Sequence, residues 1–320
     1  MINWMKTAFV FPGQGSQEVG MGKDFALAYP AARAIFDQAD EILGFKLSTL
    51  CFDGPEHELN DTINTQPALY TCGIAILRAL ESIQPDARPL LVAGHSLGEF
   101  TALAASGAVS FEDGLRLVRE RGRLMKAADE QSPGAMAALL GLNADAVREI
   151  CSRASQQTGG VLVLANDNCP GQVVISGDDA TLEVALGLAK EAKVKKAVKL
   201  PISIAAHSPL MEPAAVVFRE TVAAIAFQAP QVPLYGNLTA APLNSVDAIR
   251  HELDAQLTGG VRWTESIQAM VAAGVEQFVE FGPKDVLVGL LKRIDRNVSG
   301  IALNSVENLR QFTAEQAGNH

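Results

Sequence analysis

Cysteine is scarce in this chain. Its four residues, Cys51, Cys72, Cys151 and Cys169, are scattered and show none of the paired spacing of a zinc site. Free thiols in a reducing compartment are the expectation. Aromatic residues are few, 6% of a sequence that is 48% hydrophobic, so the core must be largely aliphatic, as suits an α/β protein. Positive charge is also short: 26 Lys and Arg face 36 Asp and Glu, a formal charge of -10. That balance argues against nucleic acid and anionic membrane surfaces as principal partners. Long apolar runs are missing as well. The opening "MINWMKTAFVF" is cut off by Pro12-Gly13, too early for a signal peptide, and no segment has the length of a membrane helix. A cytoplasmic protein with no membrane or nucleic-acid partner is expected. One stretch runs against the overall charge, "KEAKVKKAVK" (Lys190 to Lys199). It reads either as a solvated helix end and strand or as a local basic patch.

Glycine, by contrast, is prominent at the start, in "FVFPGQGSQEVGMG" (residues 9–22). A glycine-rich loop after a strand suggests a phosphate cradle, but the spacing refuses it. Gly13 and Gly15 match a dinucleotide fingerprint, yet Glu18 stands where the third glycine belongs. Gly15 and Gly20 have the interval of a Walker loop, yet Met21 follows where Lys is required. The loop must serve another chemistry.

Strand-like runs alternate with amphipathic helical ones along the chain: "TAFVF", "LLVAG", "GAMAALLG", "VLVLAN", "QVVISG", "AVKLPI", "PLYGN", "QFVEF". The alternation predicts an α/β fold with a mostly parallel sheet. The middle third has an order of its own. A strand over 134–141, the helix "NADAVREICSRAS", strands over 161–166 and 172–176, the helix "ATLEVALGLAKEA" and a strand over 195–201 spell β-α-β-β-α-β, the ferredoxin-like order. The expected organisation is a large α/β domain in two parts, 1–130 and 201–320, with a small domain, 131–200, entered through "DEQSPG" (Asp129 to Gly134).

The richest chemistry lies in "LLVAGHSLGEF". A short strand runs into Gly94-His95-Ser96-Leu97-Gly98, a G-x-S-x-G elbow, and a helix follows. That context projects the Ser96 hydroxyl at a helix N-terminus, where backbone amides favour developing negative charge. His95 points elsewhere and reads as structural. A serine nucleophile needs a base. His207, in "LPISIAAHSPLMEPA", precedes an N-cap serine and a Pro suited to the first helical position, placing it at the carboxyl end of a strand. His57 and His251 lie in polar, exposed stretches, and His320 is terminal.

A helix predicted from Phe111 to about Ala128 carries a second signal. Advanced by about 100° per residue, Phe111, Leu115, Leu117, Val118, Gly122, Leu124 and Met125 share one face, while Arg116, Arg119, Arg123 and Lys126 take the other. Arg121 lands among the apolar residues. A guanidinium there needs an anionic partner. Two remain open: an internal Asp or Glu, or an acidic substrate gripped as a bidentate fork.

Ser96 in "GHSLGEF", Arg121 in "RERGRLM", His207 in "AAHSPLM" and the opening "FPGQGSQ" together resemble the malonyl-CoA:acyl carrier protein transacylases. The likeness extends through "TQPALYT" (65–71), "NDNCPGQVVISG" (166–177) and "FGPKDVLVGLLKRI" (281–294). The resemblance implies an α/β-hydrolase-like large domain with an inserted ferredoxin-like domain, in a monomer. It implies malonyl transfer from malonyl-CoA to the phosphopantetheine thiol of acyl carrier protein, for fatty acid synthesis, by a ping-pong route through malonyl-Ser96. The thioester is the substrate; no cofactor and no metal are expected. His207 would be the base, its imidazole oriented by a backbone carbonyl that maps to Gln256. The N–H groups of Gln14 and Leu97 would form an oxyanion hole, and Arg121 would hold the free malonyl carboxylate. A polyketide-pathway acyltransferase or a serine acyl hydrolase on the same scaffold is the alternative. The carrier is acidic in such systems, so docking would use a local positive patch: Lys190–Lys199, or Arg123 with Lys126.

Overall fold

The computed structural model describes residues 2–131, 133–200 and 204–317. Ser132 of the expected entry segment, residue 201 of the strand expected over 195–201, and His320 lie outside them. The strands are β1 (Thr7–Phe11), β2 (Leu91–Gly94), β3 (Ala135–Leu140), β4 (Leu162–Cys169), β5 (Gln172–Gly177), β6 (Lys196–Lys199), β7 (Leu234–Tyr235), β8 (Gln277–Glu280) and β9 (Ser299–Ala302). They form two sheets. One has the order β7-β2-β1-β8-β9, with parallel pairing throughout. The other has the order β4-β5-β3-β6 and is antiparallel.

The placement of β1 follows from its composition. Every residue of "TAFVF" is buried, and a strand with two apolar faces belongs in the middle of a parallel sheet covered on both sides. The second sheet carries the β-α-β-β-α-β order expected for the middle third. Its helices, Ala144–Thr158 and Asp179–Glu191, pack with β3, β4 and β5 around Leu139, Val147, Ile150, Ile175, Leu182 and Ala185. The chain is therefore α/β, with a large hydrolase-like parallel sheet and a small antiparallel ferredoxin-like one. The strands of the parallel sheet come from both sides of the small one in sequence, which makes the smaller unit an insertion.

Two strands escaped the sequence reading or were only brushed by it. β9 is the four-residue "SGIA", glycine-containing and half exposed at the sheet edge; β7 has two residues. Neither is long enough to display a period. The helix Phe111–Gln131 starts as expected. Asp113 N–H donates to Ser110 Oγ at 3.0 Å, and the hydroxyl donates back to the Asp113 carboxylate at 2.8 Å. All four cysteines are buried free thiols. No helix is long and apolar enough to cross a membrane among the described residues.

What matters for chemistry is the carboxyl edge of β1 and β2, where the strands hand over to two tight loops. His95 N–H donates to the Phe11 carbonyl at 2.9 Å, extending the ladder one step and locking the two loops side by side.

Candidate active site

The turn from β2 into the helix Gly98–Ala105 is too tight for side chains at its ends. A Cβ on Gly94 would lie 1.9 Å from the Gly98 carbonyl oxygen, and one on Gly98 would lie 2.0 Å from that of Phe11. Between them Ser96 takes φ +51°, a left-handed conformation that an L-residue adopts only when its surroundings impose it. The sharp bend lifts its hydroxyl out of the turn. The Ser96 Oγ meets His207 Nε2 at 2.7 Å, and Nδ1 of the same ring donates to the Gly259 carbonyl at 2.9 Å. With Nδ1 protonated, Nε2 is the acceptor for the serine proton.

The orienting carbonyl is therefore that of Gly259, three residues beyond the expected Gln256. The Gln256 carbonyl also approaches the ring, as a lesser influence. Sequence mapping missed the position because the chain turns at 256–259, so two carbonyls of one turn face the imidazole. Gln256 contributes chiefly through its side chain. Its Oε1 accepts from Arg121 Nε at 3.0 Å, and its Nε2 donates to the Ser96 carbonyl at 3.0 Å.

Arg121 is 2% exposed. Its Nη1 donates to Gln66 Oε1 at 3.0 Å and its Nη2 to Ser96 Oγ at 3.2 Å, while the Phe100 ring lies 5.6 Å from the guanidinium carbon. The two partners left open by the sequence are now separated. No carboxylate forms an ion pair with Arg121 among the described residues; every group bonded to it is neutral. Burial draws its pKa down to about 10, opposed by the more distant charge of Glu99. The guanidinium stays protonated at neutral pH, so the site holds a dry positive charge pointing at the serine.

That charge acts on His207. Burial first, and Arg121 second, lower the imidazole pKa to about 3, against the raising effect of the Gly259 bond. The ring is neutral across the physiological range, as a base requires. His95 takes no part in this cluster. Its Nε2 pairs with Asn168 Oδ1 at 2.8 Å, and its ring meets Trp263 edge-on at 5.5 Å.

The glycine-rich loop that carries Gln14 packs directly on the elbow, where a Cβ on Gly13 would lie 2.6 Å from the His95 carbonyl oxygen. Among the described residues the N–H groups of Gln14 and Leu97 have no hydrogen-bond partner, whereas the Ser96 N–H is taken by Asn237 Oδ1 at 2.7 Å. The side chain of Gln14 is held away, accepting from Thr62 Oγ1 at 2.6 Å. The elbow, the neutral imidazole and the buried guanidinium meet at the Ser96 hydroxyl.

The chain matches the acyl transferase domain family over residues 8–309. It is 44% identical over 306 residues to the malonyl CoA-acyl carrier protein transacylase of Bacillus subtilis (strain 168), covering 95% of each chain. The chain belongs to this transacylase family. The corresponding Escherichia coli (strain K12) protein is 44% identical over 297 residues, 93% of this chain and 95% of that one. Among solved structures, an acyl carrier protein S-malonyltransferase from Vibrio cholerae superposes with TM-score 0.92 at 42% identity, covering 96% of this chain and 99% of that one. A malonyl-transacylase in complex with a type II PKS acyl-carrier protein gives TM-score 0.93 at 40% identity, over 97% and 99%.

Three residues of this family member's site were not singled out from sequence: Gln66, Asn237 and Gly259. Gln66 left a trace, since it opens the largely apolar run 66–77 of the helix Thr62–Ile83, where burial demands a partner for an amide. Asn237 left a weaker one, following β7 at the carboxyl edge where α/β sheets bind ligands. Gly259 acts through its carbonyl, which no side-chain pattern reveals.

Proposed function

We propose that this chain transfers a malonyl group from malonyl-CoA to the phosphopantetheine thiol of an acyl carrier protein, through malonyl-Ser96. The observation that carries the reading is the buried Arg121 with only neutral partners beside the nucleophile. A guanidinium in that position is costly in the free protein and becomes favourable when an anion arrives. A malonyl thioester places a carboxylate two carbons from the reacting carbonyl, so one fork can hold the first while Ser96 attacks the second.

In this reading His207 Nε2 takes the Ser96 proton as Oγ attacks the thioester. The oxyanion settles on the N–H groups of Gln14 and Leu97; losing one such donor typically costs roughly 3–4 kcal/mol of transition-state stabilisation. CoA leaves as the thiol after His207 returns the proton, and the carrier thiol repeats the sequence on the malonyl ester. Substrate also retunes the base. A carboxylate on Arg121 cancels the charge that depresses His207, so its basicity rises when malonyl is bound. A carbonyl rather than an Asp behind the imidazole suits this arrangement, because Arg121 and its guest carboxylate already set the charge.

Fatty acid synthesis is the pathway this reading favours. The 40% identical relative solved with a type II PKS carrier favours polyketide assembly as the second reading. Exchange of the two carrier types in a malonyl-transfer assay separates them by kcat/KM.

The low pKa of His207 makes a kinetic prediction. For Ser96 acylation by malonyl-CoA, kcat/KM should stay flat from about pH 5 to pH 8, because the free base is already neutral throughout. An acid limb with its midpoint near the ordinary 6.5 would show that the imidazole protonates as in water.

Docking of an acidic carrier narrows to one patch. Arg123 is paired with Glu120 and Lys126 with Asp61, so both are neutralised within the chain. Lys190, Lys193, Lys195 and Lys196 are exposed and in no ion pair among the described residues, while Lys199 is tied to Asp179 and Glu183. Reversing Lys195 and Lys196 to Glu should raise the carrier KM severalfold, more so at low salt, and leave loading from malonyl-CoA intact. Unchanged carrier kinetics would remove this edge of the small sheet from consideration.

A further inference from the structure

Behind the nucleophile lies a second buried cluster that the transfer chemistry does not use. Glu99, in the first turn of the elbow helix, and Glu252, in the helix Val246–Ala255, are both completely buried. They converge on adjacent peptides of one segment. Asn237 N–H donates to Glu99 Oε1 at 2.9 Å, and Leu238 N–H donates to Glu252 Oε1, with Thr239 Oγ1 donating to its Oε2 at 3.0 Å. The Glu99 Oε2 is buried and has no hydrogen-bond partner among the described residues, and the nearest anchored carboxyl is that of Glu252, held on the next peptide of the same segment.

Asn237 connects this pair to the elbow. Its Oδ1 accepts the Ser96 N–H at 2.7 Å and its Nδ2 donates to the Gly94 carbonyl at 2.6 Å, so one amide grips the strained turn on both sides of His95. The Asn237 carbonyl is taken by Arg262 N–H at 2.9 Å. Its remaining anchor is Glu99.

We propose that Glu99 and Glu252 share one proton as a carboxylic acid–carboxylate pair, and that this pair, through Asn237, holds Ser96 in its reactive geometry. Two carboxylates buried on adjacent peptides with no cation paired to either disfavour joint ionisation, and one proton supplies the donor that Glu99 Oε2 otherwise lacks. The charged groups facing the pair are Arg121, from the helix Phe111–Gln131, on the Glu99 side and Arg262 on the Glu252 side; neither forms an ion pair with it. Arg262 is engaged by Glu265 and by the carbonyls of Leu238 and Thr239. The Gln256 amide also approaches Glu99. Burial, then Glu252, raises the Glu99 pKa, in keeping with a retained proton. Glu99 and Asn237 are positioning residues, acting on the nucleophile through the turn, and the assignment rests on Ser96 being that nucleophile.

The proton is read without substrate, so it fails separately from the nucleophile reading. The folded wild type holds a proton that the unfolded chain releases above the ordinary carboxyl range, so raising pH favours unfolding. In Glu99→Gln and Glu252→Gln the amide N–H replaces the shared proton. Urea unfolding across about pH 5.5–7.5 should show the wild-type unfolding constant climbing about tenfold per pH unit more steeply than either variant's. Infrared spectra of folded wild type should contain a protonated-carboxyl stretch, shifted in D2O and absent from Glu252→Gln. Parallel pH slopes would overturn the shared proton; should neither Gln variant fold, absence of the infrared band from wild type would do so. For positioning, Glu99→Ala should lower kcat for acylation roughly tenfold or more at constant KM, with Glu99→Gln recovering most of the loss. Equal losses in both, or a change confined to KM, would overturn it.

Discussion

Ser96→Ala is expected to abolish the malonyl adduct seen by intact-protein mass spectrometry after brief exposure to malonyl-CoA, and to lower transfer by on the order of 10⁴–10⁶. The reason is local and complete. Among the described residues the hydroxyl is the sole group that both contacts a neutral imidazole nitrogen, at 2.7 Å, and receives a guanidinium N–H, at 3.2 Å. The turn that presents it has no other nucleophile: His95 is engaged by Asn168, and Leu97 and the flanking glycines carry no reactive group. Alanine tolerates the left-handed backbone no worse than serine does, so the variant should fold. A persisting adduct would place the acyl group on another residue and sink the mechanism. Release of CoA into water with no adduct in the wild type would favour the hydrolase alternative.

Arg121→Ala is expected to lower malonyl loading by roughly 10²–10³ while changing acetyl loading far less, since two charge-assisted hydrogen bonds to a carboxylate are together worth about 3–4 kcal/mol. Arg121→Lys should fall between, because an ammonium keeps the charge and loses the fork. The malonyl-to-acetyl ratio is the proper readout, for Gln66 and Gln256 lose a partner in either case and Gln256 also holds the Ser96 carbonyl. A thermal melt adds a test that a structural role would answer differently. Arg121 has no carboxylate partner in the free protein, so Arg121→Met should leave the Tm unchanged or raise it. A loss of many degrees in Arg121→Met, with an unchanged malonyl-to-acetyl ratio, would make Arg121 a structural residue.

Much of this was legible because the signals are short-range. The nucleophile elbow is encoded within five residues, Gly94 to Gly98, whose spacing dictates a turn that only glycine ends permit. The burial of Arg121 followed from helical period alone, since 100° steps place it between Met125 and Leu117 on the apolar face. The order of elements in the small sheet could likewise be read from where apolar runs and turns alternate. Residues that function through their surroundings were harder. Asn237 and Glu252 lie about 140 and 150 positions beyond Gly94 and Glu99, and nothing near them marks the contact.

The sequence by itself determined which groups exist and on which face of an element each sits: a serine on a tight turn, a histidine before a capped helix, an arginine on an apolar stripe. It did not determine what Arg121 meets, which carbonyl orients His207, or that two glutamates share a buried pocket behind the turn. Those depend on bringing the carboxyl ends of β1, β2 and β7 together with the turns at 205–207 and 256–259. A side chain's periodicity is a property of its own segment, whereas its partner, and so its charge state, is a property of the packed assembly. Tertiary structure therefore decided the neutral cage around Arg121, on which the proposed grip of a carboxylate rests.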